Sequence, residues 1–551
     1  MEDIKVASSQ IVNSLKTFFI DNPVLIREIR SRMRGTRMLI FISVYILIVC
    51  TVTFLYTLFT LNQLSLSPTN PNQLSNIGGT IYKIILSVST FIVVVFAPMS
   101  LSGVVAGEKE KQTFDFIRVT TISSWRYILG YILANTLFIT LLIFCTLPVV
   151  SLSFVFGGVS PDEVIYSYVL LVCLSFLLSS LAIMISTLRK NVRTAQTTTI
   201  AILFLIYFLS GPALGSFAHM YGRYFALPSF SNLLLGKTSF LGISTPNIVL
   251  TILLAGYLSS FFYIISSRKL YNLEVRSFSY TQFIVLLLIA DFVLISLFWK
   301  QTTVANFSIL LTVTSIMMLI AVFNFAPNVI EVGDESWKIK KKIKLFRKFG
   351  EDNIFISCLF ILQFLLLISF LFSNPPPNLF SSGSLLKVSG VKFLTLGHIV
   401  QGFLILLVMV IFMISVAKLA SQIMKSRMSA VRLSLASFLI IFVFLPFLTL
   451  IFYATIEGNN SVPASILKMT PYVALTKILG SDLYIRHMKT IDESLFFIDP
   501  LIVNVIVYVP ISLIIFFVAN RKRKKSESEF LKLFSDNPFE KTNPPSLTLP
   551  L

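Results

Sequence analysis

The chain has 551 residues, of which 55% are hydrophobic and only 13% are charged, and its formal net charge is +20. A soluble domain is typically about one-quarter charged, because its surface must be hydrated. The composition therefore excludes an ordinary water-soluble protein and indicates a helical bundle in lipid.

Twelve segments are apolar enough to cross a bilayer as helices, since about 20 apolar residues span the hydrocarbon core. The sequence thus predicts an all-α integral membrane protein. The predicted spans are residues 38–60, 84–105, 127–151, 164–188, 197–215, 248–265, 283–299, 304–325, 354–372, 399–420, 433–453 and 501–519.

Residues 1–37 precede the first predicted span and indicate an interfacial amphipathic helix. Leu25, Ile29 and Met33 recur at helical spacing, and arginines occupy the opposite face. Asp21 or Asn22 is predicted to cap the helix, with a proline at its first position. Such a helix is expected to lie along the inner membrane surface with its apolar side towards the lipid.

Between the second and third predicted spans, residues 107–122 form a short polar insert. Thr113, Phe114 and Ile117 indicate a short amphipathic helix, with an exposed phenylalanine, across the cytoplasmic loop. Glu108 and Glu110 are expected near its start, where the helix dipole favours negative charge. The insert is a candidate docking site for a cytoplasmic partner, or a plain loop.

The two halves of the chain look related. "GEKE" at 107–110 and "GDES" at 333–336 each follow the second span of a half, and "LRKNVR" at 188–193 and "IMKSRM" at 423–428 each follow the fourth. Two halves of six spans enter the membrane in the same orientation and are related by an axis along its normal. The predicted regions are the interfacial segment 1–37, the first half 38–275, the divergent second half 276–519 and the polar cytoplasmic tail 520–551.

Basic clusters set the predicted orientation, because Lys and Arg are concentrated in cytoplasmic segments. The densest clusters are "REIRSRMRGTR" before the first span, "KIKKKIKLFRK" at 338–348 and "RKRKK" at Arg521–Lys525. They place both termini in the cytoplasm, at the plasma (inner) membrane, and they explain the positive charge without nucleic-acid binding. Arg521–Lys525 is also a candidate site for anionic lipids.

Asp291 is the ionisable residue that lies deep within a predicted span. A buried charge in a bilayer must find a donor or a proton. Asp291 therefore predicts either a site on a substrate or ion route, or an interhelical hydrogen bond.

Other chemistry is sparse in the sequence. The four cysteines and three histidines have no metal-ligand spacing, and no GxxxxGK[ST] phosphate-binding motif occurs. We therefore expect no metal site, no bound cofactor and no nucleotide-binding domain in this chain. The acidic loop 456–500, the longest segment outside the predicted spans, is the candidate site of a membrane-embedded enzyme, or a solvated loop of mixed charge.

The polar insert, with "NPVLIREIRSRMRGTR" at 22–37 and the segment 156–195, resembles the type-2 ATP-binding cassette (ABC-2) permease family. There a G-E-basic-E-x-G-T run, followed by a Trp and a Gly-Lys pair, forms a coupling helix that docks against a separate ATPase. Gln112 replaces the usual Gly and Tyr131 the usual Lys. The matching residues are Gly107, Glu108, Lys109, Glu110, Thr113, Phe114, Asp115, Ser123, Trp125 and Gly130.

This resemblance implies the transmembrane subunit of an ATP-driven exporter, in which partner P-loop ATPase subunits hydrolyse the ATP. Its coupling residues would be Gly107, Glu108, Glu110, Thr113, Phe114 and Asp115, with a second coupling segment in "GDESWKIKKKIKLF" at 333–346. One chain would supply both halves, or two chains would assemble. The alternatives are an ion-coupled secondary transporter that uses Asp291 and an enzyme with its site in 456–500.

Overall fold

The structure is a computed structural model. It describes residues 22–34, 36–64, 71–120, 122–210, 237–240, 243–273, 275–297, 304–327, 351–373, 387–388, 391–392, 396–424, 426–444 and 500–535. The chain divides into two compact units, unit 1 (Met1–Gln282) and unit 2 (Phe283–Leu551).

The described part of unit 1 is almost entirely helical. A short antiparallel hairpin, in which Lys237 pairs with Pro246 and Phe240 with Ile243, precedes its last long helix. The elements in chain order are α1 (Pro23–Met33), α2 (Thr36–Leu64), α3 (Pro71–Ser102), α4 (Val104–Glu110), α5 (Phe114–Val119), α6 (Ser124–Phe144), α7 (Leu147–Phe156), α8 (Pro161–Leu188), α9 (Val192–Ser210), β1 (Lys237–Phe240), β2 (Ile243–Pro246) and α10 (Asn247–Lys269).

The described part of unit 2 is also helical, with one hairpin whose two strands have two residues each. Its elements are α11 (Tyr280–Leu297), which begins at the boundary between the units, α12 (Val304–Phe325), α13 (Glu351–Ser373), β3 (Lys387–Val388), β4 (Val391–Lys392), α14 (Leu396–Ile423), α15 (Arg427–Phe438) and α16 (Pro500–Ser535). Leu439–Phe444 continues α15 as a π-helical turn.

The predicted all-α membrane class is confirmed. Within the described ranges, seven helices are long and apolar enough to cross a membrane, and three shorter apolar helices accompany them. The seven are Met38–Phe59, Gly78–Glu110, Ser124–Val155, Pro161–Leu188, Ile248–Lys269, Val400–Ile423 and Asn504–Lys522; the shorter ones are Tyr280–Ser296, Val313–Phe325 and Ile354–Leu366.

These segments overlap ten of the twelve predicted spans. The predicted fifth and eleventh spans, 197–215 and 433–453, overlap α9 and the run from α15 to Phe444, and both continue beyond the described residues. The count of twelve, the duplication and the predicted regions 1–37, 38–275, 276–519 and 520–551 stay predictions.

Local signals explain where the first helix begins. The Asn22 side chain accepts a hydrogen bond from the Val24 backbone N–H at 3.0 Å, and Pro23 occupies the first helical position. A proline there gives up only an N–H that the helix would leave unpaired. The predicted cap at Asn22 is confirmed.

Helix α8 is the centre of unit 1. It packs against α3, α6 and α10, and its buried residues include Leu171, Ala182 and Ile183. At one end of the bundle, apolar side chains of α3, α4, α5, α6 and α8 form a core around Tyr127, Ile128 and Tyr131. This end holds α1, α4 and α5 and is called the base of unit 1; it is the predicted cytoplasmic end.

Unit 2 is organised around α14, which packs against α12, α15 and α16. Aromatic contacts join its helices: the ring centroids of Phe283 and Phe325 lie 5.7 Å apart, and those of Phe412 and Tyr508 lie 5.1 Å apart.

Candidate coupling site

The "GEKE" motif lies in α4, a seven-residue continuation of the second span beyond Gly103. A Cβ atom at Gly103 would lie 3.0 Å from a Val192 methyl group, and one at Gly107 would lie 3.3 Å from the other. The two glycines therefore let the start of α9 pack closely against α4. Close backbone approach is a usual reason for glycine in a helix.

Glu108 points into the base rather than towards solvent. Its carboxylate accepts hydrogen bonds from the Tyr127 hydroxyl and, at 3.0 Å, from the Tyr131 hydroxyl. The guanidinium of Arg27 lies 3.9 Å away, and the Glu108 side chain is only 18% exposed. Glu108 therefore joins α4 to α6 and to α1 and presents little surface to a partner.

Lys109 and Glu110 form hydrogen bonds with backbone groups at the ends of two other helices. The Lys109 Nζ atom donates to the Thr187 carbonyl at the end of α8, at 2.6 Å. The Glu110 carboxylate accepts from the Val192 N–H at the start of α9, at 2.8 Å. Each charge has the sign that the helix dipole favours at that end, positive at the carboxyl end and negative at the amino end.

A left-handed turn separates α4 from α5. Gln112 has φ of +58° and is the non-glycine residue with positive φ in the described chain. The Thr113 N–H then bonds back to the Glu108 carbonyl at 3.0 Å. This turn corrects the expectation that Glu108 and Glu110 begin the amphipathic helix: they end α4, and Asp115 is the acid in the first turn of α5.

Helix α5 has one face in the base and another in solvent. Phe114 is buried, 5.8 Å from the Tyr271 ring and 5.5 Å from the Lys109 ammonium, and Ile117 packs on the same side. Phe116 is 77% exposed and Val119 87% exposed. The predicted amphipathic helix is present, but its exposed phenylalanine is Phe116 and not Phe114. We call Phe116 and Val119, with the exposed Asp115 and Arg118 beside them, the docking face.

Helix α1 packs alongside α6, and hydrogen bonds join the two helices at regular intervals. The Asn22 amide donates to the Arg126 carbonyl at 2.7 Å, and the Arg27 guanidinium donates to the Tyr131 hydroxyl at 2.5 Å. A Cβ atom at Gly130 would lie 2.8 Å from the Cβ of Val24, so the glycine is needed for this contact.

Asn135 is the fully buried hub of the base. Its amide group donates to the Ala97 carbonyl at 3.0 Å and to the Ser179 hydroxyl at 2.8 Å. Its carbonyl oxygen accepts from Ser100 at 2.5 Å and from Arg32 at 2.7 Å. All four of the hydrogen bonds that the side chain can make are thus made, and they join α1, α3, α6 and α8.

Arg32 reaches this hub from outside the spans. Burial lowers the pKa of Arg32 below its usual value, and the nearby Glu28 and Tyr131 offset only part of this decrease. Its guanidinium also lies 3.8 Å from the Glu28 carboxylate. The sequence placed the arginines on a free face of the helix, but two of the four within 27–34, Arg27 and Arg32, bind side chains of α6.

In unit 2, Asp291 bonds to a neighbouring helix. The Gln363 amide donates to the Asp291 carboxylate at 2.5 Å, and both side chains are buried. This is the predicted interhelical hydrogen bond; a role on an ion route stays a prediction.

The other candidate sites fall mainly outside the described residues. The second coupling segment 333–346 and residues 456–499 of the outer loop lie there, while Arg521–Lys525 continues α16. Among the described residues, no three His, Cys, Asp or Glu side chains gather in a way that could hold a metal ion.

Residues 70–214 match the family model described as the ABC-2 type transporter. Over these residues the chain is similar to the membrane domain of ABC-2 transporters. The matched segment runs from α3 to beyond α9 and so includes the "GEKE" motif, the docking face and Asn135. No curated protein and no solved structure matches the chain. The resemblance to the ABC-2 permeases is therefore confirmed over residues 70–214, and the described helices are those of a multi-pass membrane protein.

Proposed function

We propose that the chain is the permease subunit of an ATP-driven exporter and that a separate P-loop ATPase binds the docking face of α5. The exposed pair Phe116 and Val119 carries the proposal. Helix α5 lies outside the candidate membrane-spanning segments, in the polar insert between two of them, so these side chains do not face the hydrocarbon core. Contiguous exposed apolar side chains ringed by charges are typical of protein interaction sites.

The buried side of α5, opposite the docking face, supports a coupling role. Phe114 seats α5 in the base, and the preceding motif fixes the ends of α8 and α9 through Lys109 and Glu110. A force that a bound partner applies to Phe116 would therefore be transmitted to several spans at once. A partner that closes on ATP binding and opens on hydrolysis could rearrange them in this way.

The predicted coupling residues then have two kinds of role. Gly107, Glu108, Glu110, Thr113 and Phe114 position α5, whereas Asp115 lies on the docking face. The proposal includes a chain that binds no cofactor of its own, both termini in the cytoplasm at the plasma membrane, and outward transport. The basic clusters at both ends of the chain support the orientation.

Co-purification tests the proposal. The tagged chain, extracted in mild detergent from its native membrane, is expected to retain a P-loop ATPase in fixed ratio. Phe116→Ala with Val119→Ala should remove most of it, because truncating a central apolar contact costs roughly 2 kcal/mol or more of binding free energy.

The control is Phe91→Ala, which truncates a phenylalanine that is 67% exposed on the span α3. All proteins must elute as single peaks in gel filtration. Equal retention of the ATPase by the double variant and the control would refute docking on α5.

The buried Asp291–Gln363 pair favours a second candidate function, that of an ion-coupled transporter. Asp291→Asn keeps a hydrogen-bonding side chain but removes the titratable group. An ion-coupled carrier would lose transport in vesicles with this variant, whereas an ATP-driven permease would keep it.

A further inference from the structure

The arginines of α1 and its C-cap divide into two pairs. Arg27 and Arg32 bind Tyr131 and Asn135 on α6. Arg30 and Arg34 are exposed, and within the described chain neither forms an ion pair. The packing against α6 therefore accounts for the first pair, while no acidic side chain of the described ranges pairs with the second.

The exposed pair lies among apolar side chains. Ile26 is 46% exposed and Met33 47% exposed, while Val24 and Leu25 are buried against α6. On a helix, Ile26, Arg30 and Met33 are spaced by four and three residues and so share one face. This face of α1 thus combines apolar and basic side chains and points away from the protein.

The position of this face beside the first span indicates that it contacts the membrane surface. Helix α2 begins at Thr36, two residues after Arg34, and its first turns expose Leu39 and Ile40 at 66% and 60%. These are the outward residues of the first membrane-spanning segment, Met38–Phe59. Because so few residues separate the helices, the exposed face of α1 lies at the boundary where that span leaves the hydrocarbon.

We propose that this face binds the headgroups of anionic phospholipids, with Arg30 and Arg34 on the phosphates and Ile26 and Met33 at the start of the acyl region. Net positive charge and exposed apolar side chains on one helix suit an anionic bilayer surface. The inference is independent of the ATPase. It places the anionic-lipid site on α1 and not on Arg521–Lys525. The sequence predicted that α1 lies along the membrane surface, but with Leu25 towards the lipid, whereas Leu25 is buried.

Native mass spectrometry of the full chain tests the proposal, with phosphatidylglycerol as the probe and phosphatidylcholine as the neutral competitor. The wild type should prefer phosphatidylglycerol. Arg30→Gln with Arg34→Gln should weaken that preference about fivefold for each arginine, since one basic residue near an anionic surface is worth about 1 kcal/mol.

Two further variants make each outcome informative. Arg30→Lys with Arg34→Lys should keep the preference, because it preserves charge; its loss would overturn a headgroup contact made by charge. The matched control is Arg521→Gln with Lys522→Gln, two exposed residues of α16. An unchanged preference in the α1 variant, or a loss confined to the α16 variant, would overturn the assignment to α1.

Discussion

In each unit, a charged side chain links the start of one helix to the end of another. The side chain is acidic in unit 1 and basic in unit 2. In unit 1, Glu110 at the end of α4 accepts from the Val192 N–H at the start of α9. In unit 2, the Arg427 side chain at the start of α15 donates to the Asn324 carbonyl near the end of α12. Both arrangements satisfy groups that a helix end leaves unpaired.

The order of packing around these contacts is the same. Helix α8 packs against α3 and α10, and α14 packs against α12 and α16. Only residues 189–191 separate α8 from α9, and only 424–426 separate α14 from α15. The predicted duplication would account for this shared order. The comparison shows that the two units share a packing order although side chains of opposite charge secure it.

The strongest test of the comparison concerns the two buried amides. Asn135→Leu should lower the free energy of unfolding by about 2–3 kcal/mol, because it removes four hydrogen bonds of about 0.6 kcal/mol each and strands Arg32. Gln363→Leu removes one bond, so its cost should be about 0.6 kcal/mol and at most about 1.7. Thermal unfolding in detergent measures both, and equal losses would contradict the view of Asn135 as a hub.

A second test removes the helix-end contacts one at a time. Glu110→Ala and Arg427→Ala should each cost about 1 kcal/mol of stability, the usual value of a capping side chain. Only Glu110→Ala should also reduce the amount of ATPase that co-purifies, because it loosens the rear of α5. An equal effect of Arg427→Ala on ATPase retention would show that the two contacts are not distinct in function.

The smallest expected effect is at the left-handed turn. Gln112→Gly should raise stability by about 0.5 kcal/mol, because relief of a positive φ outweighs the entropy that glycine loses. Lys111→Gly, at a neighbour with φ of −81°, should lower it by a similar amount. Chemical denaturation of the two variants side by side measures the difference; a loss of stability in both would argue against the left-handed conformation.

Local signals made much of the fold predictable. The spans follow from runs of apolar residues, and the cap at Asn22 with Pro23 follows from neighbours in the chain. The short helix of the polar insert 107–122 was also predicted, because its polar residues could not enter lipid.

Contacts between distant residues were not predictable. Phe114 and Phe116 lie two residues apart in a one-and-a-half-turn helix, so periodicity could not show which is buried; Tyr271 decides it. Arg27 and Arg32 find partners more than 100 residues away, at Tyr131 and Asn135. The sequence around them carries only the signal of a basic helix.

The bonds from Asn22, Arg27 and Arg32 to α6 form a ladder with matched rungs on both helices. A slide of α1 by one turn would break all three rungs together, whereas tilting the two helices as one body would break none. The ladder thus makes α1 and α6 a stiff strut. A displacement of α6 would therefore carry α1 with it, and α1 leads directly into the first span.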